Sequence, residues 1–223
     1  MIAANLHTIK ARIAQLSQHY GVPAPQLLAV SKKHPLSAIE TAIAEGQRHF
    51  GESYVQEAVE KIQTLNNPDI IWHFIGPIQS NKTKAIASHF DWVHSVDREK
   101  IAQRLNDQRP DTLPPLKIFL QVNLDNEPQK SGFTPEALPN AICQILTLPK
   151  LTLHGLMAIP KSRGSLAAQR AAFAQLRDLL ATCQAHCPGM TDLSMGMSND
   201  IEAAIAEGSN WLRIGTAVFG ARA

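Results

Sequence analysis

The sequence is poor in the features that mark specialised protein classes. It has three cysteines in 223 residues, and an odd number does not read as a disulfide framework. No run of about eighteen apolar residues occurs, so neither a membrane-spanning helix nor a membrane partner is expected. The opening Met1-Ile2-Ala3-Ala4-Asn5 lacks the basic end and long apolar stretch of a secretory signal, which makes the cytoplasm the expected compartment. A formal net charge of +2 is too small to announce a nucleic-acid surface. Motifs are missing too. There is no His-x-His pair, no His-Glu-x-x-His and no strand-end cluster of carboxylates, which argues against a metal. Gly-x-Gly-x-x-Gly and Walker-type loops are absent, and so is the Gly-x-Ser-x-Gly of an α/β-hydrolase. Cys183, His186 and Cys187 share one helical face, but no fourth ligand is evident, so they read as structural.

What is present is ordinary globular composition, 44% hydrophobic and 18% charged, arranged with unusual regularity. Strand-like runs occur at 27–31, 49–52, 70–75, 92–96, 117–124, 151–159, 192–200 and 211–220. Helical patterns alternate with them at 36–45, 55–65, 81–87, 99–106, from Thr134-Pro135-Glu136 onward, 166–185 and 201–206, with Asp97 as a candidate N-cap. A further helix at 2–18 carries Ile2, Leu6, Ile9, Ile13 and Leu16 on one face. It would take the place of the helix missing after strand eight. Repeated βα units predict a parallel sheet, and eight of them predict closure. The expected fold is α/β, a single (β/α)8 TIM-type barrel with an N-terminal helix before strand one, forming one domain over 1–223.

In such a barrel, chemistry gathers where strands end. The last two strands end in small and hydroxyl residues, Ser194/Gly196/Ser198 and Gly215/Thr216. Small residues let backbone N–H groups approach an anion, which suggests a phosphate cradle. Strand one ends in Lys32, beside strand eight once the barrel closes. A desolvated lysine offers a neutral amine to a carbonyl carbon. A lysine facing a phosphate cradle implies a ligand with both aldehyde and phosphate: pyridoxal phosphate or a phosphorylated sugar. His73 and His154 fall inside strands and read as core or supporting residues.

Six blocks then resemble a known family: Leu28-Ala29-Val30-Ser31-Lys32, Phe50 to Glu57, Trp72 to Lys82, Lys130-Ser131-Gly132, Ser194 to Asp200, and Arg213 to Gly220. In this order they are similar to the signature blocks of the pyridoxal phosphate homeostasis proteins. The resemblance implies a barrel like the N-terminal domain of bacterial alanine racemase. It implies pyridoxal phosphate held as an aldimine on Lys32 rather than Lys33, phosphate contacts from Ser198, Gly215 and Thr216, and Arg213 against the pyridine nitrogen. The same blocks add Ser53, His73, Asn81 and Met195 as further candidates. The family commonly has Asn where this chain has Ser53, a shorter side chain without an amide.

The resemblance implies a carrier that contributes to vitamin B6 homeostasis by buffering or delivering the cofactor. Recipient apo-enzymes would be its partners, and a monomer is expected. An always-protonated guanidinium leaves the pyridine nitrogen unprotonated, which weakens the ring as an electron sink. With only Tyr20 and Tyr54 as phenols, a two-base racemase is disfavoured. The alternatives are a pyridoxal phosphate-dependent, racemase-like enzyme and a Schiff-base aldolase.

Overall fold

The computed structural model describes residues 1–221. Eight strands close into a parallel barrel in chain order: β1 (Gln26–Val30), β2 (His49–Glu52), β3 (Ile71–Phe74), β4 (Trp92–Val96), β5 (Leu116–Gln121), β6 (Leu151–Met157), β7 (Asp192–Ser194) and β8 (Trp211–Ile214). β8 returns to β1 with Leu28 opposite Arg213. Between them run α2 (Leu36–Ala44), α3 (Val55–Leu65), α4 (Thr83–His89), α5 (Glu99–Gln108), α6 (Leu138–Ile145), α7 (Leu166–Cys183) and α8 (Ile201–Ala206). The expected N-terminal helix is present as α1 (Ile2–Tyr20), burying Leu6, Ile9 and Ile13. It packs against α2, α8 and the one-turn α9 (Thr216–Phe219), completing the outer ring.

Side-chain alternation explains the two cores. Leu27, Ala29, Phe50, Trp72, Phe74, Val93, Leu212 and Ile214 belong to the large cluster between barrel and helices. Leu28, Trp92, Phe119, Met157 and Trp211 fill the barrel itself. His73, His94 and Ser194 share that inward parity and are fully buried, so the interior is partly polar.

The final strands are shorter than their apolar patterns suggested. β7 stops at Ser194 because Gly196 turns the chain at φ 96°. Residues beyond Gly215 form α9 instead of prolonging β8. α4 begins at Thr83, leaving Asn81 in an exposed turn. Asp97 does not cap α5: the cap residue is Arg98, which binds the Asp97 carboxylate at 2.7 Å.

Candidate functional site

The end of β1 is clamped from below by α3. Lys61 donates to the Ser31 carbonyl at 3.0 Å, to Glu52 Oε1 at 2.8 Å and to Glu57 Oε1 at 2.6 Å. The Ser31 hydroxyl donates to the same Glu52 oxygen at 2.7 Å. Burial raises the Glu52 pKa, opposed by the Lys61 charge and these hydrogen bonds. Glu57 Oε1 also accepts the Lys33 backbone N–H at 2.6 Å, where Lys33 adopts φ 61°. That left-handed kink is uncommon for a side chain other than glycine. It sends two adjacent lysines to different environments. Lys33 is exposed, its ammonium 5.5 Å from the centre of the Tyr54 ring. Lys32 is half-buried and lines two cavities.

The first cavity, about 260 Å³, brings Lys32 together with Ser198, Arg213, Gly215 and Thr216, walled by Val30, Ile75, Ile159 and Met197. Residues more than 180 positions apart meet because β1 and β8 are neighbours. Arg213 faces inward from β8 and is 5% exposed. Its guanidinium donates to Ser194 Oγ at 2.7 Å and to the Ala158 carbonyl at 3.0 Å. Burial pushes its pKa down to about 10, with the Asp200 charge acting against the shift. Asp200 Oδ1 accepts the Met197 N–H at 2.6 Å, which shapes the loop carrying Ser198. Thr216 opens α9, and a helix's first turn leaves N–H groups without intrahelical acceptors.

The second cavity, about 660 Å³, lies on the other side of Lys32 and is lined by Ser53, Tyr54, Gln79 and Lys82 among others. Ser53 Oγ is buried there with no hydrogen-bond partner. The remaining expected residues lie elsewhere. His73 is wholly buried inside the barrel, bonded to His49 and His94. Met195 is buried in the large cluster between barrel and helices, and Asn81 is exposed; neither lines these two cavities. Met195 has the wrong parity: it follows inward-facing Ser194 and so points to the helices, and the chain turns at Gly196 before Met197 and Ser198 reach the cavity. His154 lies against the Trp92 ring in a tilted pair, centroids 4.6 Å apart.

Sequence reasoning missed Glu52, Glu57 and Lys61 behind Lys32. Their one available signal was the i, i+4 spacing of Glu57 and Lys61 on α3. Ser194, expected in the phosphate cradle, is instead fully buried behind Arg213 and absent from the cavity lining, and its partner His94 was missed. Among the described residues no group of His, Cys, Asp or Glu is arranged to hold a metal ion. No helix among them is long and apolar enough to cross a membrane.

The barrel is of the class of the alanine racemase N-terminal domain, whose family model matches residues 4–223. The chain is 56% identical over 223 residues to the pyridoxal phosphate homeostasis protein of Pseudomonas aeruginosa, spanning 99% of this chain and 96% of that one. To that of Escherichia coli it is 47% identical over 226 residues, spanning 99% and 97%. The chain belongs to the pyridoxal phosphate homeostasis protein family. PipY of Synechococcus elongatus, solved with PLP bound, superposes with a TM-score of 0.88 at 40% identity, spanning 99% of this chain and 100% of that one. Alanine racemase from Corynebacterium glutamicum, at 16% identity and a TM-score of 0.71, shares the fold over 60% of its length.

Proposed function

We propose that this protein binds pyridoxal phosphate through the Lys32 amine and holds it for buffering and delivery, without appreciable catalysis. The observation that carries this reading is the meeting of Lys32, Arg213, Ser198, Gly215 and Thr216 around one cavity. The donor set fits the ligand. An amine suits its aldehyde, hydroxyl and backbone donors suit its phosphate, and a guanidinium suits an unprotonated ring nitrogen. The cavity volume, about 260 Å³, lies slightly below the roughly 300–1,000 Å³ usual for small-molecule sites, and the adjoining cavity shares Lys32, Ile75 and Ile159 with it. The PLP-bound structure of PipY supports the choice of ligand.

When bound, pyridoxal phosphate supplies an aldehyde that an amine can hold covalently and reversibly, and a ring able to accept electrons. The chain's own residues favour the first property over the second. Arg213 would face the ring nitrogen, and a guanidinium that keeps its protons at neutral pH would leave the ring a weak electron sink. Lys32 and Arg213 are the titratable groups lining the smaller cavity; no carboxylate, imidazole or phenol joins them there. A second acid–base group on the opposite face is therefore missing from that lining, where Lys32 is the one candidate for proton abstraction; Glu57 and Lys82 line the adjoining cavity. Tyr54 borders the larger cavity but is 48% exposed and sits against the Lys33 ammonium.

The test is to load the purified protein with pyridoxal phosphate, record its visible absorbance, reduce with borohydride and map the modified peptide. A single reduced adduct on Lys32 is expected. An adduct confined to another lysine, or no visible band at saturation, overturns the reading.

A further inference from the structure

Behind Arg213 a row of hydrogen bonds crosses the barrel interior. Arg213 Nη1 lies 2.7 Å from Ser194 Oγ, which lies 2.8 Å from His94 Nδ1. His94 Nε2 lies 2.9 Å from His73 Nδ1, and His73 Nε2 lies 3.0 Å from His49 Nδ1. The members stand on β8, β7, β4, β3 and β2. Ser194, His94 and His73 have no solvent exposure. His49 ends the row at a separate cavity beside α1, lined by Lys10, Gln47 and Arg48 among others.

The direction of every bond follows from its first donor. A guanidinium has no acceptor, so Ser194 Oγ accepts from Arg213. The serine has one proton, and His94 Nδ1 is its other partner, so that nitrogen accepts. His94 is then protonated on Nε2 and donates to His73 Nδ1. By the same logic His73 is protonated on Nε2 and donates to His49 Nδ1. All three rings are neutral Nε2–H tautomers. Burial, then the Arg213 charge, pushes the His94 pKa well below the usual range. Burial and the neighbouring histidines do the same for His73. Arg213 thus carries the single charge of the row.

We propose that Ser194 and His94, backed by His73 and His49, are positioning residues for Arg213. Nη2 is held by the Ala158 carbonyl and Nη1 by Ser194, and two anchors leave the planar group one orientation. Ser194 can accept from Arg213 without leaving its own buried O–H unpaired only because His94 Nδ1 accepts a hydrogen bond from it. A core needing filler alone would use Leu or Phe, as the neighbouring Leu28 and Phe119 do. The inference rests on the reading that Arg213 faces the ring nitrogen of the ligand.

The test compares equilibrium binding of pyridoxal phosphate with that of its 1-deaza analogue, which has C–H in place of the ring nitrogen. The wild type prefers pyridoxal phosphate, by about tenfold or more for a charge-assisted hydrogen bond. Arg213→Met removes that preference. If it does not, the Arg213 reading is wrong and the positioning role falls with it. Ser194→Ala lowers the preference toward the Arg213→Met value, whereas Ser194→Thr, which keeps the hydroxyl, retains it. A Ser194→Ala protein that binds both ligands more weakly by an equal factor has lost only structure, and overturns the positioning role. Nitrogen-15 NMR of histidine-labelled wild-type protein needs no variant. It should find His94, His73 and His49 protonated on Nε2 alone. A His94 ring protonated on Nδ1 reverses the row and sinks the proposal.

Discussion

The Glu57 carboxylate accepts the backbone N–H of Lys33 at 2.6 Å while also binding the Lys61 ammonium at 2.6 Å. α3 thereby pins the kink that separates Lys32, facing the cavities, from Lys33, facing solvent. A single positive φ does what sequence adjacency cannot. This relationship gives the first prediction. Glu57→Ala frees the kink, and borohydride reduction of the loaded variant should place part of the adduct on Lys33. The wild type should carry it on Lys32. Peptide mapping reads both, and an unchanged distribution in the variant means that the clamp does not choose the lysine.

Thr216 and Ser198 line the Lys32 cavity with hydroxyls. Thr216→Ala should weaken pyridoxal phosphate binding by ~1.5–3 kcal/mol, the loss of one hydrogen bond to a charged group. Pyridoxal without its phosphate should bind wild type and variant alike. Equal weakening of both ligands would place Thr216 outside the phosphate contact.

The contrast between carrier and catalyst is measurable at Arg213. With alanine in deuterated water, the loaded wild type should show almost no exchange of the α-proton by NMR. Arg213→Glu lets the ring nitrogen hold a proton and strengthens the electron sink. With no second base in the smaller cavity, the variant should gain at most slow exchange. Wild-type exchange at ~1 s⁻¹ or faster, the pace of working enzymes, would contradict the carrier role.

Stability should fall on mild acidification. His49, His73, His94 and His154 all have pKa values lowered from 6.5, in each case chiefly by burial. As pH drops through 6.5 the unfolded chain binds protons that the folded chain refuses, so each ring costs up to about 1.4 kcal/mol per pH unit. Glu52, Asp91 and Asp200 act oppositely. Burial raises their folded pKa values, so the folded state takes up their protons first as pH falls. That gain runs from each raised folded value down to the usual 4.5, 3.8 and 3.8 and is complete there, while near pH 6 the four rings set the sign. The urea midpoint should therefore decline between about pH 6.5 and 5.5. A flat or rising midpoint across that interval contradicts the neutral interior.

Gly76 lines the larger cavity and packs against the Ser53 backbone. A Cβ there would overlap the Ser53 carbonyl oxygen, and backbone cannot yield as a flexible side chain does. Gly76→Ala should cost ~1–3 kcal/mol of stability, as overpacking does, and displace Ser53. Wild-type stability in that variant would show that the two loops separate freely.

Periodicity made the architecture legible. The compact apolar runs of β1 and β8, alternating with helical patterns, and the apolar stripe on α1 are local properties, and so they announced a closed barrel and the helix that completes its ring. The lengths of β7 and β8 were not legible. Gly196 can continue a strand or bend it, and Leu212 and Ala204 packed close around Gly196 decide for the bend. The residues at strand ends were likewise readable, since topology alone carries them to one rim: Lys32, Ser198, Arg213, Gly215 and Thr216 meet there.

Sequence by itself thus determined the barrel, its order and the chemistry offered at its mouth, because these depend on short-range pattern and on neighbouring strands. Only the tertiary structure decided which side chains stand behind that chemistry. Glu52 and Lys61 reach Ser31 across 21 and 30 residues, and Ser194 reaches His94 across 100. Such bonds join residues that share no local pattern. Ser194 and His94 meet because inward-facing positions on different strands are forced together inside the barrel, and Lys61 meets Ser31 and Glu52 because α3 packs over the strand ends. Where water is excluded, buried polar groups bond to each other.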